Sequence, residues 1–455
     1  MLAEGSSHRG ADRSSQATVI LADWVITSAD NLPHQHWGVR VVDGHIDDVG
    51  SHTQLKQKYS QDEVVDGTGK VLLAGFVNAH VHLYGVLAHG IPVTNPPDGF
   101  WSFLNDYWWP KVEDALDHQM IEAAADWACV EMLSSGTTTF YDILEAPKAV
   151  VDSLAVEAEV AHRRGMRSVL SFEATQRAGP QIAAAALEEN VRHIVASAAD
   201  PNQLVTGMMC YHTAFTCSAD YITDAVGLAA DHGVLCHAHC NEGVHEAEWC
   251  VENIGVRTLE YYEQLGIASS QFLASQCVQL SDREIDIIGQ TGIRVTHMPL
   301  ANCEVGGGIA PISELLDLGV TVGLGSDGYI NDFFAVMRGA FLVHKARLQD
   351  PGVMPAATVL RLATEGGANA LGLEKVGRLQ PGWKADLQLV DADFATPITE
   401  HNLFEQLVLW RNHTHVTDVM VNGHWKVRRG EVLGVDKAEM TQRLHVQAKR
   451  LWANA

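Results

Sequence analysis

The stretch YITDAVGLAADHGVLCHAHCNE, residues 221–242, decides the fold. Tyr221 to Asp231 reads as a helix, and Gly233 stands where a helix takes a left-handed C-terminal cap. Val234-Leu235-Cys236 then opens a strand that runs into His237 and His239. Side chains two apart on a strand point to the same side. Glu242 lies three residues beyond His239, just past the strand, within reach of whatever His239 holds. The arrangement suits a metal-held water with a carboxylic acid beside it.

The same grammar of helix, Gly, apolar strand and polar residue recurs through the middle of the chain. Gln119 to Leu133, Gly136 and Thr137 to Tyr141 lead to Asp142. Ala149 to Arg163, Gly165 and Arg167 to Phe172 lead to Glu173. Leu204 to Tyr211 leads to His212. Ser281 to Thr291 carries a capping box on Ser281 and Glu284; Gly292 and Ile293 to Thr296 follow and lead to His297. Ile312 to Leu318, Gly319 and Val320 to Ser326 lead to Asp327. With Phe76 to His82 first and Gln271 to Cys277 sixth, the strands number eight. Such alternation implies a parallel sheet, and eight units over this length imply an α/β fold of (β/α)8 TIM-barrel type. Its site would lie at the C-terminal strand ends, where His80, His82, Asp142, Glu173, His212, His239, Gln276, His297 and Asp327 collect. A doubly wound sheet is the alternative.

Both ends of the chain are β-rich. Ala17 to Trp24, Gly38 to Val42, His45 to Val49 and Val71 to Leu73 read as strands, as do Ala385 to Val390, Thr417 to Val421 and Trp425 to Val427. Asp43-Gly44 and Asn422-Gly423 are hairpin turns. The expected division is a ragged start at 1–16, a β-sandwich built from 17–73 and 379–435, a barrel over 74–378, and a tail helix over 436–455.

Composition narrows the function. With 455 residues, 47% hydrophobic and 19% charged, the chain is expected to be soluble and cytoplasmic, with no segment that spans a membrane. A net charge of −25 argues against a nucleic-acid partner, which needs clustered Lys and Arg. Eight Cys without CxxC pairs point away from disulfides and thiolate zinc sites, and Cys236, Cys240 and Cys277 read as small buried apolar residues.

His80 and His82 share one face of the first strand and can reach one ion. Asp327, in Gly323-Leu-Gly-Ser-Asp-Gly328, can touch a metal and accept a proton from its water. Together with Gly75-Phe-Val-Asn-Ala-His-Val-His82, Gly136-Thr-Thr-Thr139, His239-Cys-Asn-Glu242, His297-Met-Pro-Leu-Ala-Asn302, Gly308-Ile-Ala-Pro311 and Gly377-Arg-Leu-Gln-Pro-Gly-Trp-Lys-Ala-Asp386, these residues resemble the amidohydrolase superfamily. The similar branch holds guanine and cytosine deaminases, S-adenosylhomocysteine deaminases and chlorotriazine hydrolases. The resemblance covers about residues 18 to 430. It implies one divalent metal on His80, His82, His239 and Asp327, with Glu242 as proton carrier and His237 one layer deeper. Zinc is the first expectation; Fe2+ and Mn2+ suit the same ligands. Leu204 to His212 contains no Lys, which argues against a two-metal site bridged by a carboxylated lysine.

One position departs from the family. Gln276 stands where the resemblance implies a His, and an amide takes no proton at pH 7. Either Asp327 alone accepts the proton of the water, or His297 or His212 assists. The expected activity is hydrolytic deamination of an amino-substituted purine, pterin, pyrimidine or triazine. The alternatives are a triazine dechlorinating or dealkylaminating hydrolase and a non-catalytic metal-binding scaffold. Substrate contacts are expected from Gln276, His297, His212, Glu173, Arg177 and Asp142. Trp101 is added from the aromatic run Phe100 to Trp109, since aromatic faces stack on flat rings. The partner is a small heterocycle, and the resemblance favours a homo-oligomer.

Overall fold

The protein is represented by a computed structural model that describes residues 17–200, 203–328 and 330–453. The ragged start expected at 1–16 lies outside the described residues. The N-terminal strands are β1 (Thr18–Ile26), β2 (His34–Val42), β3 (His45–Ser51) and β4 (Glu63–Ala74). The middle strands are β5 (Phe76–Val81), β6 (Thr137–Leu144), β7 (Arg167–Phe172), β8 (Val205–Gly207), β9 (Met209–Cys210), β10 (Cys236–Cys240), β11 (Phe272–Gln276), β12 (Arg294–His297) and β13 (Val322–Leu324). The C-terminal strands are β14 (Leu387–Asp391), β15 (Val416–Val421), β16 (His424–Arg428) and β17 (Glu431–Val432).

The middle strands are parallel and lie in chain order, β5 to β8 in one sheet and β9 to β13 in another. The fourth strand of the sequence reading is broken at Met208 into β8 and β9. Two isolated parallel bridges, Ala174 with Tyr211 and Val81 with Asp327, join the two sheets at either end. Helices Ser153–Arg164, Ala219–His232 and Asp282–Thr291 close on Gly165, Gly233 and Gly292 in left-handed conformation, as their sequences require. The second helix starts at Ser153 rather than Ala149. Asp152 is left-handed, and Glu189 accepts from the amides of Asp152 and Leu154, capping the helix from a neighbouring element.

The two ends of the chain meet. Their strands are hydrogen-bonded in one continuous order, β17-β16-β15-β14-β4-β1-β2-β3. The cause is β4, twelve residues long, which pairs with β1 on one side and β14 on the other. Asp43-Gly44 and Asn422-Gly423 are tight turns with positive φ at both residues, joining β2 to β3 and β15 to β16. A helix absent from the sequence reading, Leu403–Trp410, interrupts the second β segment and buries Leu403, Leu407 and Val408. The tail helix, Lys437–Trp452, docks through Leu444 and Leu451, and the Trp452 indole donates to the Leu87 carbonyl. Among the described residues no helix is long and apolar enough to cross a membrane.

Gly136 fixes how the parallel strands meet the terminal sheet. Its φ is +85°, and a Cβ there would lie 1.9 Å from Gln388 Oε1 on β14. Only a residue without a side chain lets the turn before β6 sit against that strand.

Candidate active site

Some of the polar residues at the strand ends lie close together. His80 on β5, His82 just after it and His239 on β10 bring one ring nitrogen each to within 4.8 Å of one another. Their orientations are set from behind. His82 Nδ1 donates to the Ile143 carbonyl at 2.6 Å, which leaves Nε2 bare. His239 Nδ1 lies 2.6 Å from Glu173 Oε1 as an ion pair. His80 is fully buried, and neither ring nitrogen has a protein partner. A buried imidazole with nothing to bond is costly unless a ligand completes it. Three imidazoles arranged in this way fit a divalent metal ion.

Asp327 closes the group. Its Oδ1 lies 3.4 Å from His82 Nε2, and its Oδ2 accepts from Gln276 Nε2 at 2.7 Å. The amide direction of Gln276 follows from chemistry. A carboxylate only accepts, so Gln276 must turn its NH2 toward Asp327, and its Oε1 accepts from Asn302. Asn78 holds the neighbouring Ser326 on both sides, donating to its Oγ and accepting from its amide. Asn241, Gln276, Cys277 and Asp327 all have φ between 51° and 70°. Left-handed non-glycine residues cost about 1–3 kcal/mol each, and such strain clusters at working sites.

A second group, Glu173, His212 and His239, also falls within 4.8 Å. It shares His239 with the first. Glu173 is already ion-paired with His239, and His212 Nδ1 is bonded to Thr216 Oγ1 at 2.8 Å. The first group, whose central imidazole lacks any partner, has the greater need of an ion.

Electrostatics divides the acids by role. Burial disfavours charge on Glu173, but the adjoining His239, then His212, outweigh it and hold that carboxyl well below the ordinary range. Burial opposes charge on His239, and Glu173 reverses it, bringing the imidazole up to about 9. Glu242 has no such partner; burial, then Asp327, push it up to about 8. One acid stays ionised to orient a ligand, and another holds a proton near neutral pH.

These groups open into a cavity of about 240 Å³. His82, Glu173, His212, His239, Glu242, Gln276 and Asp327 line it. Other expected contacts are placed elsewhere. Arg177 lies behind the wall, its guanidinium bonded to Glu145 at 2.5 Å, Asp114 at 2.8 Å and Glu113 at 3.1 Å. Asp142 is buried and accepts from the Leu83 amide. His297 faces away and sits 3.0 Å from His344. His237 is buried below, 3.2 Å from Cys210 Sγ, as the resemblance implied. Trp101 is 38% exposed and stacks on His245 at 3.8 Å. Its neighbours Phe100, Phe103, Tyr107 and Trp108 line the cavity instead. Phe103, Tyr107 and Trp108 lie on a π-type turn, Phe103–Trp108, that directly follows Phe100 and Trp101. Glu113, which lines the cavity and accepts from Tyr84 Oη at 2.9 Å, was missed. No pattern in Lys111 to Leu116 singles it out.

Parallel strands that carry three close imidazoles at their ends, with Asp327 beside them, fit a metal-dependent hydrolase. The sequence profile of the Amidohydrolase family matches residues 71–426, and the chain belongs to that family. It is similar to a 5-methylthioadenosine/S-adenosylhomocysteine deaminase of Pelotomaculum thermopropionicum, 33% identical over 410 residues, covering 89% of this chain and 91% of the relative. A 5′-deoxyadenosine deaminase of Methanothermobacter thermautotrophicus is 32% identical over 375 residues, covering 82% and 85%. Among solved structures, a zinc-bound adenosine deaminase from Xanthomonas campestris superposes with a TM-score of 0.87 at 24% identity, covering 96% and 98%. An atrazine chlorohydrolase from Arthrobacter aurescens, complexed with zinc, gives 0.80 at 22%, covering 95% and 100%. At those identities the likeness speaks for the fold.

Proposed function

We propose that the chain is a hydrolytic aminohydrolase of adenosine-type purines, working with one zinc ion held by His80, His82, His239 and Asp327. The reading rests on one observation above all: a buried imidazole trio lies beside Asp327, with the high-pKa Glu242 lining the same cavity. The relatives named above supply the purine, and the zinc-bound neighbours the metal. Closure of the two parallel sheets into a (β/α)8 barrel is inferred from the bridges at both ends.

A divalent cation at such a centre lowers the pKa of a water from about 15.7 toward 7 and so supplies a nucleophile at neutral pH. The remaining work belongs to the chain. Asp327 accepts the water's proton, and the Gln276 amide holds its far oxygen in place. Gln276 itself accepts no proton, so Asp327 replaces the pair of bases that a histidine here would provide. Glu242, protonated near neutral pH, gives its proton to the ring nitrogen next to the amino-bearing carbon. That carbon gains oxygen, Asp327 passes the water's first proton to the amino group, which leaves as ammonia, and the added hydroxyl returns its proton to Glu242, so water and the amine yield the carbonyl product and ammonia. Phe103, Tyr107 and Trp108 offer faces for the flat ring and exclude bulk water.

Seven of the eight cysteines are buried and none is paired, which suits the reducing cytoplasm we assign. A screen for ammonia release over aminated purines, pterins, pyrimidines and triazines tests the reading. Release from a purine that stops in Glu242→Gln supports it. Halide release without ammonia, or a metal-loaded protein inert on every class, refutes it.

A further inference from the structure

The cavity has a one-sided charge. Six acidic side chains line it, Glu113, Glu173, Glu242, Glu246, Glu304 and Asp327; Glu242 holds a proton near neutral pH and Glu173 and Asp327 belong to the ion centre, so Glu113, Glu246 and Glu304 are the acids left to meet the rest of the substrate. No Lys or Arg does so among the described residues. The nearest cation behind its wall, Arg177, is fully spent on Glu113, Asp114 and Glu145 and lies over the Trp109 ring at 4.8 Å. That cluster carries three acids to one base, so it adds no positive field. Glu304 sits on the exposed rim, close enough to Asp327 to feel its charge. Ala88, Phe100, Phe103, Leu104 and Val305 give the cavity its apolar lining. The volume of about 240 Å³ lies below the 300–1,000 Å³ usual for drug-sized ligands.

We infer that the part of the substrate away from the reacting ring is small and carries no anionic group: a neutral or cationic aminated purine derivative enters, and a carboxylate- or phosphate-bearing one is turned away. This rests on the deaminase reading and narrows it. A carboxylate needs a cation or a fan of donors where it comes to rest, and here it meets other carboxylates and an apolar lining. A cationic tail finds Glu113 and Glu304 instead. The relatives' double name covers a neutral methylthio tail and an amino-acid tail; this cavity suits the first.

Three adenosines that differ only beyond the 5′ sulfur test the inference: methylthio, 2-aminoethylthio and carboxymethylthio. One uncompensated carboxylate about 8 Å away, at an effective dielectric near 20, discriminates about 30-fold, so kcat/KM for the anionic compound should fall by at least that factor. The cationic compound should match or exceed the neutral one. An anionic compound turned over within about threefold of the neutral one overturns the inference, since a single screened charge would do no less. A second arm needs no substrate: azide binding to the cobalt-loaded protein, followed in the visible spectrum. Glu304→Lys should tighten it about tenfold, and equal affinity in variant and wild type overturns the inference. Ammonia from none of the three adenosines, with the azide shift present, would fail the deaminase reading and leave the charge argument standing.

Discussion

Replacing Glu173 separates two accounts of that residue. Its position at a strand end suggests substrate contact, but its carboxylate lies 2.6 Å from His239 Nδ1 as an ion pair inside a buried site. Glu173→Gln keeps an acceptor beside that nitrogen but removes the charge. A charged hydrogen bond contributes about 1.5–3 kcal/mol and a neutral one about 0.5–1.5, so roughly 1 kcal/mol is lost, or about fivefold in metal affinity. Glu173→Leu removes the acceptor and leaves a buried N–H unpaired. That costs a further 1–3 kcal/mol or so and frees the ring to turn, for a total loss of about 30- to 900-fold. Zinc affinity measured by competition with a chromogenic chelator gives the order wild type, Gln, Leu. Unchanged affinity in both variants together with a fall in turnover would refute the reasoning and return Glu173 to the substrate.

Glu242→Gln should retain zinc and lose about 10²- to 10⁴-fold in kcat, read as ammonia release; an active variant removes its role. Gln276→Leu strips Asp327 of its donor, and kcat should fall about 10- to 100-fold with metal content unchanged; full activity would show that the amide is idle. Gly325→Ala would place a Cβ 2.8 Å from the His80 carbonyl and Cβ, so it should displace β5 and weaken zinc binding in the chelator assay; wild-type affinity would show that the strand end can yield. His344 is buried, and burial brings its pKa down to about 4 from 6.5. Between those values the unfolded chain binds a proton that the folded one does not, so stability falls as pH drops. At pH 5 the deficit is about 2 kcal/mol in urea unfolding of metal-free protein, and His344→Gln should lack it; parallel losses in the two proteins would contradict the assignment.

The strand order was legible because each parallel strand is announced locally, by a helix, a glycine stop and an apolar run. The clustered polar residues were legible for the same reason: His80, His82, His239, Glu242 and Asp327 lie at or just after strand ends. What failed was contact at a distance. Arg177 follows a strand as plainly as His239 does, yet acids from two other loops, Glu113-Asp114 and Glu145, claim it. Trp101 and Trp108 are equivalent in composition, yet Trp108 lines the cavity and Trp101 stacks on His245. The helix Leu403–Trp410 went unread inside a β-rich stretch, and it packs by burying Leu403 and Leu407. Gln276 was visible as a departure, but its meaning depended on Asn302, 26 residues away.

The whole account turns on where the ion sits. Anomalous diffraction at the zinc edge, from crystals of protein purified with ample zinc, locates it directly. The account predicts one peak per chain, about 2.0–2.1 Å from a ring nitrogen of each of His80, His82 and His239, with Asp327 beside it. A peak on Glu173, His212 and His239 instead, or none in zinc-replete protein, would contradict it.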